Sequence, residues 1–166
     1  MSSRRESHRG QETPRTARAA EALAARHAEL QEVLDHWAGV LAAAADSGRP
    51  VRPVRNLLCA FLADEVLPHT RAEERTLYRA ARRAPDARLL VRELIAEHET
   101  LASMAGELTD PASPAATVAQ AAALCALFAG HVAKENSLLP ALRRAGTDLA
   151  ALCAREPLLT GRPCAA

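Results

Sequence analysis

Aromatic residues are nearly absent from this chain of 166 residues, which has one Trp, one Tyr and two Phe. So few rings leave no platform on which nucleic-acid bases could stack. Neither sign of charge dominates: 21 Lys and Arg against 20 Asp and Glu give a formal net charge of +1, spread along the chain without a basic stripe. No nucleic-acid partner is therefore expected. The cysteines Cys59, Cys125, Cys153 and Cys164 form no CxxC pair and no regular spacing, which reads as reduced thiols rather than a disulfide framework. No run of about 18 apolar residues escapes interruption by charge or histidine, so no membrane span is expected. Residues 1–11 are polar and arginine-rich and lack an apolar h-region, reading as a disordered tail rather than a signal peptide. The expected location is cytoplasmic.

What the chain has in abundance is alanine and leucine, which lose little side-chain freedom in a helix, while β-branched residues are scarce. The length suits one domain with a continuous core. A first helix is expected from Pro14, with Thr13 as N-cap, to about Ala45, where Ser47-Gly48-Arg49-Pro50 breaks it. A second runs from near Pro53 to about Arg83, and a third from Asp86 to Leu108. After the loop signal of Thr109 to Pro114, a fourth spans about Ala115 to Arg144, with Gly146 as its stop. Thr147 to Arg155 adds one short helix, and the last ten residues are expected to fray. The expected fold class is all-α, an antiparallel up-down-up-down four-helix bundle with a short extra C-terminal helix. Its expected organisation is a disordered tail over 1–13, the bundle over 14–146, and a short helix with a C-terminal tail over 147–166.

At about 100° per residue, each helix can be read for what shares its apolar stripe. His27 lies with Leu23, Leu30, Leu34 and Leu41, and His69 with Leu58, Leu62 and Glu73. His98 sits among Val91, Leu94, Leu101 and Ala105, and His131 among Leu124, Leu127, Glu135 and Leu138. Each helix thus sends one histidine inward, and two of them add a glutamate four residues later, on the same face. A single inward histidine is more often a hydrogen-bonded core residue than a ligand. A metal-free bundle with packed histidines is the bland alternative here. Four inward histidines with two matched HxxxE pairs point instead to a metal, because buried carboxylates without compensation are strongly destabilising. Imidazoles with carboxylates suit iron, manganese or zinc, and bundle cores hold such sites. His36, nine residues from His27, faces the other way and reads as surface, as does His8 in the tail. Glu65, one turn before His69, is a candidate extra ligand or base, but Pro68 breaks the helical hydrogen bonding between them. Tyr78, nine residues beyond His69, is expected to point away from the core.

At these residues the chain resembles the hemerythrin-like HHE cation-binding domain. The resemblance rests on Arg26 to Leu30 (RHAEL), Leu67 to Tyr78 (LPHTRAEERTLY), Ala96 to Glu99 (AEHE) and His131 to Pro140 (HVAKENSLLP). It covers about Arg15 to Arg144, and the ordered set H…HxxxE…H…HxxxE is its specific part. It implies a pair of iron ions, oxo- or hydroxo-bridged, held by His27, His69, His98 and His131 as terminal ligands with Glu73 and Glu135 bridging. It implies no catalytic residue beyond these ligands and no other cofactor. Oxygen-carrying relatives look similar but have a further histidine one turn after the third-helix ligand; here Leu101 and Ala102 stand there and cannot coordinate. That leaves roughly one open position per metal, which is what makes a metal reactive. The implied activity is reaction with a small oxidant, hydrogen peroxide above all, in a catalase-like or peroxidase-like manner linked to oxidative stress. The alternative is a module that binds or senses oxygen, nitric oxide or iron without turnover. The implied partner is a small diatomic or peroxide ligand.

Overall fold

The computed structural model describes residues 14–161, so the expected N-cap Thr13, the tail with His8, and Cys164 lie outside the described residues. Helix α1 spans Pro14–Asp46 and buries Leu23, His27, Leu30, Leu34 and Leu41 along one face. It ends where Gly48 takes φ 66°, a conformation open to glycine without a Cβ clash. There the Arg49 N–H donates to the Ala44 carbonyl at 2.8 Å and the Gly48 N–H to the Ala45 carbonyl at 3.0 Å, satisfying carbonyls the helix leaves free.

Helix α2 is one helical rod over 52–81, interrupted by two π turns, at Leu62–Val66 and Glu74–Tyr78. The first lies just ahead of Pro68, which has no N–H and whose ring would collide with the carbonyl of Asp64 in a regular helix. Widening the turn, with the Leu67 N–H donating to the Leu62 carbonyl, avoids that collision. In the second, the Thr76 hydroxyl donates to the Ala72 carbonyl at 2.6 Å.

A 3₁₀ turn, Pro85–Ala87, leads into α3, Arg88–Glu107. Helix α4, Pro114–Glu135, starts on Ser113, whose backbone is extended and whose side chain accepts the Ala116 N–H at 3.1 Å. The continuous fourth helix expected to Arg144 is broken at Asn136–Ser137, because Pro140 has no N–H to offer the Asn136 carbonyl. It resumes as α5, Leu138–Arg144, and stops at Gly146 (φ 68°) with the same pair of bonds that closes α1. Helix α6, Leu149–Arg155, is capped by Asp148, which accepts the Ala151 N–H at 3.0 Å. The last ten residues were expected to fray. Instead Pro157–Leu159 forms a 3₁₀ turn whose Leu159 is fully buried. No strand occurs among the described residues.

Helix α1 packs against α2, α4 and α6, and α3 against α4 and the middle of α2, a helical bundle. Its apolar core is split in two. One part gathers Leu30, Leu34, Leu58, Leu62, Leu124 and Phe128; the other gathers Leu23, Leu77, Val91, Leu94, Leu138 and Leu142. Along each helix the inward histidine falls between members of the two parts: His27 between Leu23 and Leu30, His98 between Leu94 and Leu101. The stretch 114–144 is long and apolar enough to cross a membrane by length and composition alone. Its face bearing Leu124, Phe128, His131 and Glu135 is buried in this core. Leu34 is fully buried and Leu89 is 75% exposed. Leu34→Ala should therefore lower unfolding free energy by about 2–5 kcal/mol and Leu89→Ala by less than about 0.5 kcal/mol, as read by urea denaturation.

Candidate metal centre

Six polar side chains form a layer across the bundle between the two apolar parts. His27 comes from α1, His69 and Glu73 from α2, His98 from α3, and His131 and Glu135 from α4; none is more than 3% exposed. Glu73 is central. Its Oε1 lies 2.9 Å from His27 Nε2 and 2.8 Å from His69 Nε2, and its Oε2 lies 3.4 Å from His98 Nε2. His98 Nε2 and His131 Nε2 face each other at 3.0 Å. Two triads result, His27 with His69 and Glu73, and Glu73 with His98 and His131, the donor atoms of each within 4.8 Å of one another. They share Glu73, one carboxylate oxygen to each side. Glu135 Oε2 stands 3.3 Å from His27 Nε2, beside the first triad.

Three of the imidazoles are held from behind. His69 Nδ1–H donates to the Leu158 carbonyl at 2.8 Å, His98 Nδ1–H to Glu74 Oε1 at 2.8 Å, and His131 Nδ1–H to Glu97 Oε2 at 3.0 Å. Such bonds fix the ring orientation and turn Nε2 towards the centre, where a metal would take the place of its proton. Glu97 also pairs with Lys134. Burial pushes its carboxyl up, but Lys134 and His131 outweigh that and hold it below the usual range, so it stays a charged acceptor. His27 Nδ1 has no hydrogen-bond partner among the described residues, and His27 lines a cavity of about 260 Å³ between α1 and α4 with Ala24, Ala28, Gln31, Ala129, Val132 and Asn136.

The two glutamates differ sharply. Burial raises the Glu73 carboxyl, yet the charge of His69 and the close approach of His27, His69 and His98 bring it well below the ordinary range. Burial and the neighbouring Glu73 charge push Glu135 well above it. Burial lowers His69, but Glu73 and the Leu158 carbonyl leave it raised; burial and His98 lower His131. Both oxygens of Glu135 and the His69 Nε2 are buried without an aligned hydrogen-bond partner. Buried acceptors left this way destabilise a fold, and a cation in the layer removes the deficit. The donor set therefore fits a borderline divalent metal, with no thiol in either triad among the described residues, where Cys59, Cys125 and Cys153 are free.

The model of the hemerythrin HHE cation-binding domain matches residues 18–149. The chain belongs to the hemerythrin HHE family. Neither a curated protein nor a solved structure matches it. Of the residues that the HHE pattern singles out, all six come together in the layer, while His36 is exposed on α1 against Trp37. Leu101 is buried in the core and Ala102 is exposed, so no further histidine enters beyond His98. Glu65 is not at the centre: it pairs with Arg26, which also holds Glu29 at 2.8 Å.

Tyr78 reverses the expectation. It is fully buried, and its hydroxyl lies 3.3 Å from both His98 Nε2 and His131 Nε2. The π turn at Glu74–Tyr78 inserts one residue without matching rotation, a phase change of roughly 100° that swings Tyr78 from the far face to the inner one. Glu74 and Glu97 were also missed. The available signal was their place beside a candidate ligand, Glu74 after Glu73 and Glu97 before His98. Each reaches a histidine on the next helix rather than its own neighbour. Nothing in the sequence marked the Leu158 carbonyl.

These assignments give opposite signs for the two glutamates in metal-free protein. Above pH 4.5, the ordinary carboxyl value, an unfolded Glu135 loses a proton that the folded one retains. Its contribution to stability is then lost as pH rises through the folded value. Glu135→Gln should raise the melting temperature of the metal-free form, by a margin that grows between about pH 5 and pH 8. Glu73→Gln should lower stability by about 1–3 kcal/mol, since three imidazoles lose a charged acceptor. Thermal melts of both variants after chelation decide the matter.

Proposed function

We propose that this protein holds a pair of iron ions in the histidine–glutamate layer and uses them on a small oxidant, hydrogen peroxide first. In this reading His27 and His69 serve one ion and His98 and His131 the other, with Glu73 and Glu135 bridging. The frame is residues 14–146 as an antiparallel up-down-up-down bundle, in a cytoplasm that keeps the thiols reduced. The observation that carries the proposal is the pair of triads sharing Glu73, which supports a reading with two cations side by side. Bound iron would supply the electrons that cleave an O–O bond.

The chain's own groups suit such a substrate. The cavity at His27, lined by Ala24, Ala28, Ala129 and Val132 with Gln31 and Asn136, has room for a molecule of peroxide size. Burial, with the charges of Glu135 and Glu73, pushes the Tyr78 phenol up, so its hydroxyl keeps a proton beside His98 and His131. No side-chain nucleophile is required. The same small cavity also suits oxygen or nitric oxide, and a module that binds these or iron without turnover is the second reading.

Iron-supplied protein is expected to carry about two irons per chain. His27→Ala should reduce that content, and His36→Ala should leave it unchanged. One metal per fully loaded chain, or iron loss on His36→Ala alone, would overturn the ligand assignment. Loaded protein should evolve oxygen from peroxide at a rate per bound iron above a chelated-iron control, and His131→Ala should lose both iron and activity. Reversible oxygen or nitric oxide binding with peroxide untouched would put the second reading in its place.

A further inference from the structure

Four arginines converge on a cleft away from the metal layer. Arg75 and Arg79 project from α2, Arg83 follows it, and Arg155 comes from α6 across the gap, which holds about 440 Å³. Ala80, Ala145 and Leu152 also line it. The acidic groups near it are already engaged: Glu156 pairs with Arg75 at 3.1 Å, and Asp148 accepts the Ala151 N–H. Arg79 and Arg83 have no hydrogen-bond or ion-pair partner for their guanidinium groups among the described residues. Arg155 Nε donates to the Ala151 carbonyl at 3.2 Å, and outside the cleft Lys134, Arg144 and Arg26 are among the cations with carboxylates against them. In a chain whose charges nearly cancel, this is a local segregation of positive charge, and like charges gathered in one concavity repel until an anion joins them.

The chemistry of the cleft narrows the anion. Every cation is arginine and none is lysine, and planar guanidinium forks match the paired oxygens of phosphate. The volume lies in the range of small-molecule sites, roughly 300–1,000 Å³. No aromatic side chain lines it, so nothing is present to stack a base, and recognition falls on the phosphate groups. We infer that this cleft is a binding site for a small molecule bearing two or more phosphate groups, gripped by Arg79 and Arg83 with Arg75 and Arg155 at its flanks. The site stands apart from the metal centre and does not depend on the activity proposed for it.

Calorimetric titration of the full, metal-loaded chain with pyrophosphate tests the inference. Saturable binding at one site per chain is expected, weakening as salt is raised. The double variant Arg79→Gln/Arg83→Gln should bind at least about tenfold more weakly, or about 1.4 kcal/mol. Both residues are exposed, so its melting temperature without pyrophosphate and its metal content should match the parent. Absence of binding, or equal affinity in the double variant, overturns the site. Citrate binding as tightly as pyrophosphate overturns the phosphate assignment. Affinity for oligonucleotides that climbs with their length would make the face a nucleic-acid surface and overturn the small-molecule reading.

Discussion

Two carboxylates and four imidazoles buried in one plane of an apolar bundle are the constraint on which the rest of this structure depends. Such a layer cannot be solvated, so every charge in it must be met by a neighbour or by a cation. Glu73 is met by three histidines, while Glu135, beside the Glu73 charge, is pushed to keep its proton, so the protein alone leaves only one of the two carboxylates charged. The two apolar parts on either side hold the layer in place, with Leu23, Leu30, Leu94 and Leu101 gripping the histidines above and below. Core and site are therefore one construction: the leucines exclude the water that would otherwise satisfy the polar groups.

Helix α2 carries the heaviest geometric demand, because it supplies His69, Glu73 and Tyr78 to the layer and Glu74 to its rim. A regular helix could not turn all four towards the same region. The two π turns change its phase twice, once beside Pro68 and once between Glu73 and Tyr78. The carboxylates behind the ring then follow a cross-helix logic. Glu74 of α2 steadies His98 of α3, and Glu97 of α3 steadies His131 of α4, so the orientation of one ligand rests on the packing of the next helix. Membership of the hemerythrin HHE family accounts for the ligand-bearing frame. To that frame the packing adds Tyr78 in the layer, Leu158 behind His69, and His27 without a backing acceptor among the described residues.

How much was legible in the sequence follows from which forces are local. The helical runs, the stops at Gly48 and Gly146, and the inward facing of His27, His69, His98 and His131 all come from backbone hydrogen bonding and the 3.6-residue period within one segment. That period likewise put His36 outside. Tyr78 escaped because a π turn alters the period itself. The partnerships of Glu74, Glu97 and Leu158, and the contrast between Glu73 and Glu135, escaped for a different reason: they depend on the rotation and axial offset of neighbouring helices. A single-helix pattern states which side of a helix is apolar. Which groups meet across the gap, and therefore which carboxylate is matched and which is left for a cation, was decided only when the helices packed.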